Sequence, residues 1–98
     1  MPAYFIADLD VHDQAMYERY RPIAVATIAA HGGRFIVRGG AIEPMEGGWT
    51  PKRIVIVEFP TMAQAKAWYE SPDYQEGLKL RLAASAGRAI LVEGAPPG

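Results

Sequence analysis

Hydrophobic and polar residues alternate along four short segments of the chain, which is the pattern of half-buried β-strands. Between these segments lie longer stretches in which apolar residues recur every three or four positions, as on one face of a helix. The pattern predicts strands at residues 3–9, 34–38, 53–59 and 89–93. It predicts helices at residues 14–30, 61–70 and 71–86. The order of elements is therefore β-α-β-β-α-β, with the second helical region in two pieces.

Residues that begin and end helices support these boundaries. Asp13 and Ser71 stand where a side-chain oxygen can accept hydrogen bonds from the free amides of the next turn. The pair Gly32-Gly33 ends the first helix, since glycine adopts the left-handed conformation found at helix ends. Pro22 lies in the middle of that helix and removes one hydrogen bond, which predicts a kink or two short helices.

This order of elements predicts an α+β fold of the ferredoxin-like βαββαβ type. Right-handed crossovers place the first and third strands at the centre of an antiparallel four-stranded sheet, with the helices on one face. At 98 residues the chain is long enough for one domain, expected over residues 1–94. Residues 95–98, rich in proline and glycine, are expected to form a flexible tail.

The two faces of the predicted sheet differ in polarity. Side chains at alternate positions of a strand point to the same face, and one such set is nearly all apolar. We expect this set to lie under the helices; its members are Phe5, Ala7, Leu9, Phe35, Val37, Val55, Val57, Phe59, Ile90 and Val92. The other mixes apolar and charged residues, namely Tyr4, Ile6, Asp8, Arg34, Ile36, Arg38, Ile54, Ile56, Glu58, Ala89, Leu91 and Glu93. Because contiguous apolar patches are rare on monomers, this open face predicts a homodimer that closes two sheets into a dimeric α+β barrel.

Charged residues on the strands have two interpretations. Antiparallel pairing is expected to bring Asp8 toward Arg38 and Arg53 at one end of the sheet, and Glu58 toward Arg34 at the other. They are either structural ion pairs beside the dimer interface or a site. In a site, Arg38 or Arg53 recognises an anion, and Glu58 is a buried acid or base with a raised pKa.

Composition excludes several classes of function. The formal net charge is −1, which argues against a protein that binds nucleic acid. Without cysteine there is no disulfide, thiolate nucleophile or cysteine-ligated metal, and two scattered histidines predict no metal site. No apolar run could span a bilayer, and the N-terminus does not resemble a signal peptide, so no membrane association and a cytoplasmic location are expected. No cofactor is predicted.

Histidine and aromatic residues supply further candidates. His31, at the end of the first helix, is explained by its interaction with the helix dipole or by general acid or base chemistry. Most aromatic residues of the helices are expected in the core or a dimer contact. The alternative is that Tyr69 and Trp49 line a cleft between helices and sheet, where Arg81 and His31 join them.

Several short motifs, spread from Tyr4 to Gly94, together resemble one family. They are His31-Gly-Gly-Arg34, Val37-Arg-Gly-Gly40, Glu46-Gly47 with Trp49, Glu58-Phe59-Pro60, Ala67-Trp-Tyr-x-Ser-Pro72 with Tyr74, and Arg81. The chain resembles the domain-of-unknown-function family numbered 1330, in the dimeric α+β-barrel superfamily. The resemblance implies a ferredoxin-like protomer and a barrel dimer, and it implies no particular reaction. More distant superfamily members include cofactor-free monooxygenases and isomerases that bind small ligands between sheet and helices.

Two functions follow as hypotheses. The first is a dimer that binds a small aromatic or carboxylate-bearing metabolite in a cleft between sheet and helices, including a cofactor-independent oxygenase-like or isomerase-like enzyme. There, Glu58 or His31 moves a proton while Arg38 or Arg53 stabilises developing negative charge, and Tyr69, Trp49 and Arg81 contact the ligand. The alternative is a non-enzymatic module that binds a small molecule or another protein.

Overall fold

The computed structural model describes residues 1–96 of the 98-residue chain. Its elements are β1 (Ala3–Val11), α1 (Gln14–Ala30), β2 (Arg34–Arg38), β3 (Arg53–Phe59), α2 (Met62–Glu70), α3 (Pro72–Ala84) and β4 (Ser85–Glu93). Residues 97–98 of the predicted tail lie outside the described residues.

The strands form one antiparallel sheet in the order β2-β3-β1-β4, which confirms the predicted central position of the first and third strands. In this register Phe5 lies between Val57 on β3 and Leu91 on β4. The side chain of Phe5 packs against Trp68 of α2, with ring centroids 5.0 Å apart. The fold is therefore the predicted ferredoxin-like α+β sandwich.

Helix α1 is one continuous helix of 17 residues, so the predicted division into two short helices is wrong. Buried residues occur on both sides of Pro22, including Tyr17, Tyr20, Ala24 and Ile28, and their packing holds the two halves in line. Pro22 itself is exposed, so the carbonyl that loses its amide partner can be hydrated. The predicted caps are confirmed, because Asp13 accepts a hydrogen bond from the Met16 amide and Ser71 from the Tyr74 amide.

Strand β4 begins four residues before the predicted position, and its side chains lie on the opposite faces of the sheet from those predicted. Ile90 is 60% exposed and Val92 is 40% exposed, whereas Leu91 packs against the core. The prediction that Ile90 and Val92 lie under the helices is therefore wrong. Gly87 was predicted to end the helix, but it lies inside the strand, opposite Leu9 of β1. The absence of a side chain lets the two strands approach closely, since a Cβ there would overlap the carbonyl oxygen of Asp8.

A register shift in β2 changes the position of Arg38. Phe35 lies opposite Val57, but the shift between Phe35 and Val37 then places Arg38 opposite Val55. A β-bulge of this kind inserts one extra residue and exchanges the faces of the residues beyond it. Arg38 therefore shares the side of the sheet that faces the helices, and its predicted place on the open face is wrong.

No helix within residues 1–96 is long and apolar enough to cross a membrane. The core lies between the helices and one face of the sheet, and Trp68, Tyr74, Phe59 and Val57 are its largest fully enclosed side chains. A cavity lies beside this core, and it is the candidate site.

Candidate functional site

The cavity lies between the helix-facing side of the sheet and helices α1 and α3. It encloses about 60 Å³, and its total empty space reaches about 530 Å³ when the open mouth is included. The interior volume is enough for several water molecules. Most of the lining is apolar or aromatic, and the residues are Phe5, Ala7, Leu9, Tyr17, Tyr20, Arg21, Ala24, Val25, Ile28, Phe35, Arg38, Arg53, Val55, Val57, Trp68 and Arg81.

The charged residues of this lining are all arginines. Arg21 forms an ion pair with Glu18 outside the cavity. Arg38, Arg53 and Arg81 have no carboxylate within salt-bridge distance in the described part of the chain. Since no aspartate or glutamate lines the cavity, these three guanidinium groups leave it with an uncompensated positive charge.

Arg53 is held at the outer end of the cavity. Its Nε donates a hydrogen bond to the Tyr17 hydroxyl (3.3 Å), and its guanidinium carbon lies 5.6 Å from the centroid of the Tyr17 ring. Gly39 has a φ of +69°, and any side chain there would overlap the Arg53 guanidinium group. Glycine at this position is therefore explained by the left-handed backbone, since the end of the flexible Arg53 side chain could shift away from a Cβ.

Arg38 lies beside the same opening because of the bulge in β2. Its guanidinium carbon is 4.7 Å from the centroid of the Phe35 ring, within the range of a cation–π contact. Stacking fixes the plane of the guanidinium group but leaves its N–H groups, which point outward from that plane's edge, available to an acceptor.

Arg81 is the most deeply placed of the three. It is only 5% exposed, and its guanidinium carbon lies 5.8 Å from the centroid of the Phe5 ring. Within residues 1–96 its Nε is buried and has no hydrogen-bond partner. A buried, uncompensated cation carries a large desolvation cost, so this position calls for a functional explanation.

Two buried tyrosines lie next to Arg81. The hydroxyl groups of Tyr20 and Tyr74 are 2.8 Å apart and share a hydrogen bond. Burial raises the pKa of Tyr20 well above its ordinary value, and the nearby Tyr74 raises it further. Burial is also the main cause that raises the pKa of Tyr74. Both phenols are therefore protonated at neutral pH and able to donate hydrogen bonds.

This pair predicts a loss of stability in alkali. The pKa of Tyr20 is raised in the folded state, so the unfolded chain loses this proton at a lower pH than the folded chain does. The stabilising contribution of protonated Tyr20 to the free energy of unfolding is therefore present in full below about pH 10 and is lost as the pH rises above it. We expect urea unfolding measured between pH 8 and 11 to show a falling free energy of unfolding, and Tyr20→Phe to reduce that fall. An unchanged pH dependence in Tyr20→Phe would contradict this assignment.

Glu58 lies on the opposite face of the sheet from the cavity. Its carboxylate accepts a hydrogen bond from Arg34 Nε (2.9 Å) and another from the Tyr4 hydroxyl (3.1 Å). The hydrogen bond to Glu58 is the main cause that raises the pKa of Tyr4. The expected proximity of Glu58 and Arg34 is thus confirmed, while the sheet separates both from the cavity arginines.

Asp8 does not meet Arg38 or Arg53, contrary to the sequence-based expectation. It faces the open side, where it lies 3.5 Å from Arg88 Nε and accepts a hydrogen bond from Trp49 Nε1 (3.2 Å). Because of the bulge in β2, Arg38 lies on the helix-facing side of the sheet. Arg53 lies opposite Leu9 and is on the same helix-facing side. Arg88 was not predicted here because the sequence placed it before the last strand.

The remaining predicted site residues lie outside the cavity lining. His31 caps α1, with Nδ1 2.8 Å from the Thr27 carbonyl oxygen. Trp49 lies over the open sheet face and is 53% exposed. Tyr69 packs against Phe5 and Trp68 as a half-buried part of the core. Of the predicted set, the cavity therefore brings together only Arg38, Arg53 and Arg81.

Helix α1 contributes lining residues that were not among the predicted site residues, and the polar pair Tyr17 and Arg21 is an example. Tyr17 and Arg21 are four positions apart, which places them on one helix face and above the start of β3. The four-residue spacing could have indicated that Tyr17 and Arg21 share a helix face. It does not identify a ligand site, because any helix that packs on a core has the same spacing. No group of three or more histidine, aspartate or glutamate side chains suited to a metal occurs within residues 1–96.

Solved structures of other proteins share this fold at low sequence identity. A protein of unknown function from Rhodopseudomonas palustris is 18% identical, with a TM-score of 0.76 over 98% of this chain and 84% of that one. A dimeric ferredoxin-like protein of unknown function from Jannaschia sp. CCS1 is 14% identical, with a TM-score of 0.74 over 96% of this chain and 100% of that one.

An enzyme is also among the similar structures. SnoaB, a cofactor-independent oxygenase from Streptomyces nogalater, is 14% identical, with a TM-score of 0.65 over 98% of this chain and 95% of the other. No curated protein matches the sequence. The model of one family, described as Domain of unknown function (DUF1330), matches residues 2–95. The match covers nearly the whole chain, and the protein therefore belongs to the DUF1330 family.

Proposed function

We propose that this protein binds a small organic acid with an apolar or aromatic body in the cavity between sheet and helices. The observation that carries the proposal is the charge of the lining. Arg38, Arg53 and Arg81 face an otherwise apolar cavity, and no carboxylate within residues 1–96 pairs with them. An anionic ligand supplies the missing negative charge.

The apolar lining determines the rest of the ligand. Pockets for small molecules are mostly apolar, with a few polar groups that set orientation. Here Tyr17, Tyr20 and Phe35 provide aromatic lining, and Val55 and Val57 lie on the strand beneath. An apolar body that extends from the enclosed part into the open mouth can contact these surfaces, while the planar guanidinium groups suit a carboxylate, which can accept two parallel hydrogen bonds.

A second copy of the chain is the proposed partner. The open face of the sheet exposes Ile36, Ile90 and Val92 at 44%, 60% and 40%. Ile6 and Ile54 extend this apolar surface beneath the exposed Trp49. Similar structures from Jannaschia sp. CCS1 and Bacteroides fragilis are described as dimeric, which favours a dimer here, and the exposed apolar face is its proposed interface. A cytoplasmic location belongs to the same proposal.

An enzymatic form of this function is the second candidate, favoured by the likeness to the cofactor-independent oxygenase SnoaB. In it, Arg38 or Arg53 stabilises negative charge that develops on the substrate. Glu58 and His31, the proposed proton-transfer groups, lie outside the cavity lining of one protomer. Ligand binding is therefore the better supported function, and non-enzymatic sequestration is its simplest form.

Titration calorimetry with benzoate tests the proposal. We expect measurable binding to the native chain and a loss of about tenfold or more when Arg38, Arg53 and Arg81 are all replaced by methionine. The matched control replaces Arg19, Lys66 and Lys79, which are exposed on the helices, lie outside the cavity and change the net charge equally. Equal affinities in the two triple variants, or no benzoate binding by the native chain, would overturn the proposal.

A further inference from the structure

The two ends of the cavity differ in depth and in charge. A more open depression adjoins the cavity and shares Leu9, Tyr17, Arg21 and Arg53 with it, so the mouth lies at the Arg53 end. Arg81 is 5% exposed and therefore lies away from that mouth. Cationic groups thus occupy both the outer and the inner end, with apolar and aromatic walls between them.

The strand below the cavity gives the separation of the two ends. Arg53 lies opposite Leu9 in the sheet, whereas the Arg81 guanidinium group lies near the Phe5 ring. Leu9 and Phe5 are four residues apart on β1, a distance of roughly 13 Å at about 3.3 Å per residue. The two arginines therefore lie above different parts of β1, and a ligand with an acceptor group at each end can contact both.

The inner end holds two hydrogen-bond donors that the protein does not use. One is the Arg81 Nε–H, which has no partner within residues 1–96. The other belongs to the Tyr20–Tyr74 pair, of which Tyr20 lines the cavity: when the Tyr74 hydroxyl donates to Tyr20, the Tyr20 O–H is free. The Trp68 indole N–H is already used, because it donates to Thr27 Oγ1 (3.1 Å).

We propose that the ligand carries acceptor groups at both ends, as in a short aromatic or apolar dicarboxylic or oxo-carboxylic acid. One carboxylate lies at Arg38 and Arg53, and the second carboxylate or carbonyl oxygen accepts hydrogen bonds from Arg81 and the tyrosine pair. A ligand with an ammonium group at that end is rejected, because the buried guanidinium repels it. This inference rests on the proposed function and specifies its substrate class.

Three probes of matched shape test it by titration calorimetry: benzoate, terephthalate and para-aminomethylbenzoate. We expect terephthalate to bind about tenfold more tightly than benzoate, or better, since it uses both ends, and para-aminomethylbenzoate to bind no better than benzoate. Arg81→Met removes the cationic group of the inner end, and Arg38→Met with Arg53→Met removes those of the outer end. Each change is expected to abolish the tighter binding of terephthalate relative to benzoate. Arg19→Met, outside the cavity, is expected to retain it.

The outcomes separate this inference from the proposed function. If benzoate and terephthalate bind equally, or if the advantage of terephthalate persists in Arg81→Met, the two-ended ligand is wrong while anion binding stands. If none of the probes binds the native chain, both are wrong. Arg81→Lys keeps a positive charge but lacks Nε, and it replaces Arg81→Met in the comparison if circular dichroism shows that the methionine variant is unfolded.

Discussion

Replacement of Trp68 by alanine is expected to lower the free energy of unfolding by about 3–5 kcal/mol. Domains of this size are stable by only about 5–15 kcal/mol, so the variant will be largely unfolded at a moderate urea concentration that leaves the native chain folded. The reason is the position of Trp68, which is fully enclosed between α1, α3 and the sheet.

The contacts of Trp68 explain the size of this effect. Its ring lies 4.1 Å from that of Tyr74, 5.0 Å from Phe5 and 5.2 Å from Phe59, measured between centroids. Alanine would leave a void among these rings, and the surrounding chain relaxes only partly around such a void. It would also remove the donor to Thr27 Oγ1, a buried acceptor.

Urea unfolding followed by far-ultraviolet circular dichroism measures this prediction. The control is Leu82→Ala, which shortens an apolar side chain on α3 that is 65% exposed, and we expect a change below about 1 kcal/mol there. A loss in Trp68→Ala no larger than that of Leu82→Ala would show that the aromatic cluster does not hold the helices on the sheet.

Introduction of a charge on the open sheet face is expected to convert the proposed dimer into monomers. Ile90 is the most exposed of the large apolar residues on that face, at 60%. In a face-to-face dimer, Ile90→Asp would bury an unpaired carboxylate in each protomer, which costs several kcal/mol per interface. Because 1.4 kcal/mol corresponds to tenfold in the dissociation constant, dimers would be lost at micromolar concentration.

Sedimentation velocity at micromolar concentration measures this result. Leu82→Asp is the matched control, since it places the same charge on a similarly exposed apolar residue of the helical layer. We expect the native chain and Leu82→Asp to sediment as dimers and Ile90→Asp as monomers. A native chain that sediments as a monomer, or an Ile90→Asp variant that remains dimeric, would contradict the proposed interface.

Strand parity predicted the faces correctly where the strands are regular. Along β1 and β3 the apolar members alternate, and Phe5, Leu9, Val55 and Val57 are buried as expected. The rule depends on an unbroken count of residues from one strand end to the other. It therefore failed in β2, where the bulge before Val37 shifts the count by one.

The error in β4 has a different cause. Gly87 was interpreted as the end of the helix, although it lies inside the strand. Residues 89–92 are apolar at both alternating sets of positions, so alternation did not indicate which set faces the helices. Pairing with β1 determines where β4 begins, because Val11 lies opposite Ser85 and the strand ladder therefore extends to the end of α3. Strand pairing over nine residues outweighs the local preference for helix.

The amino-acid sequence by itself determined the order of the elements, the caps of the helices and the apolar face of the two central strands, because these depend on local hydrogen bonding and on periodicity. The sequence also predicted the Arg34–Glu58 pair, whereas the tertiary structure decided the partner of Asp8 and which arginines reach the cavity. Glu58 and Asp8 find partners on the open face, whereas Arg38, Arg53 and Arg81 converge on one cavity from three different elements. Such convergence depends on one bulge and on how α3 packs above β1, which no local pattern specifies.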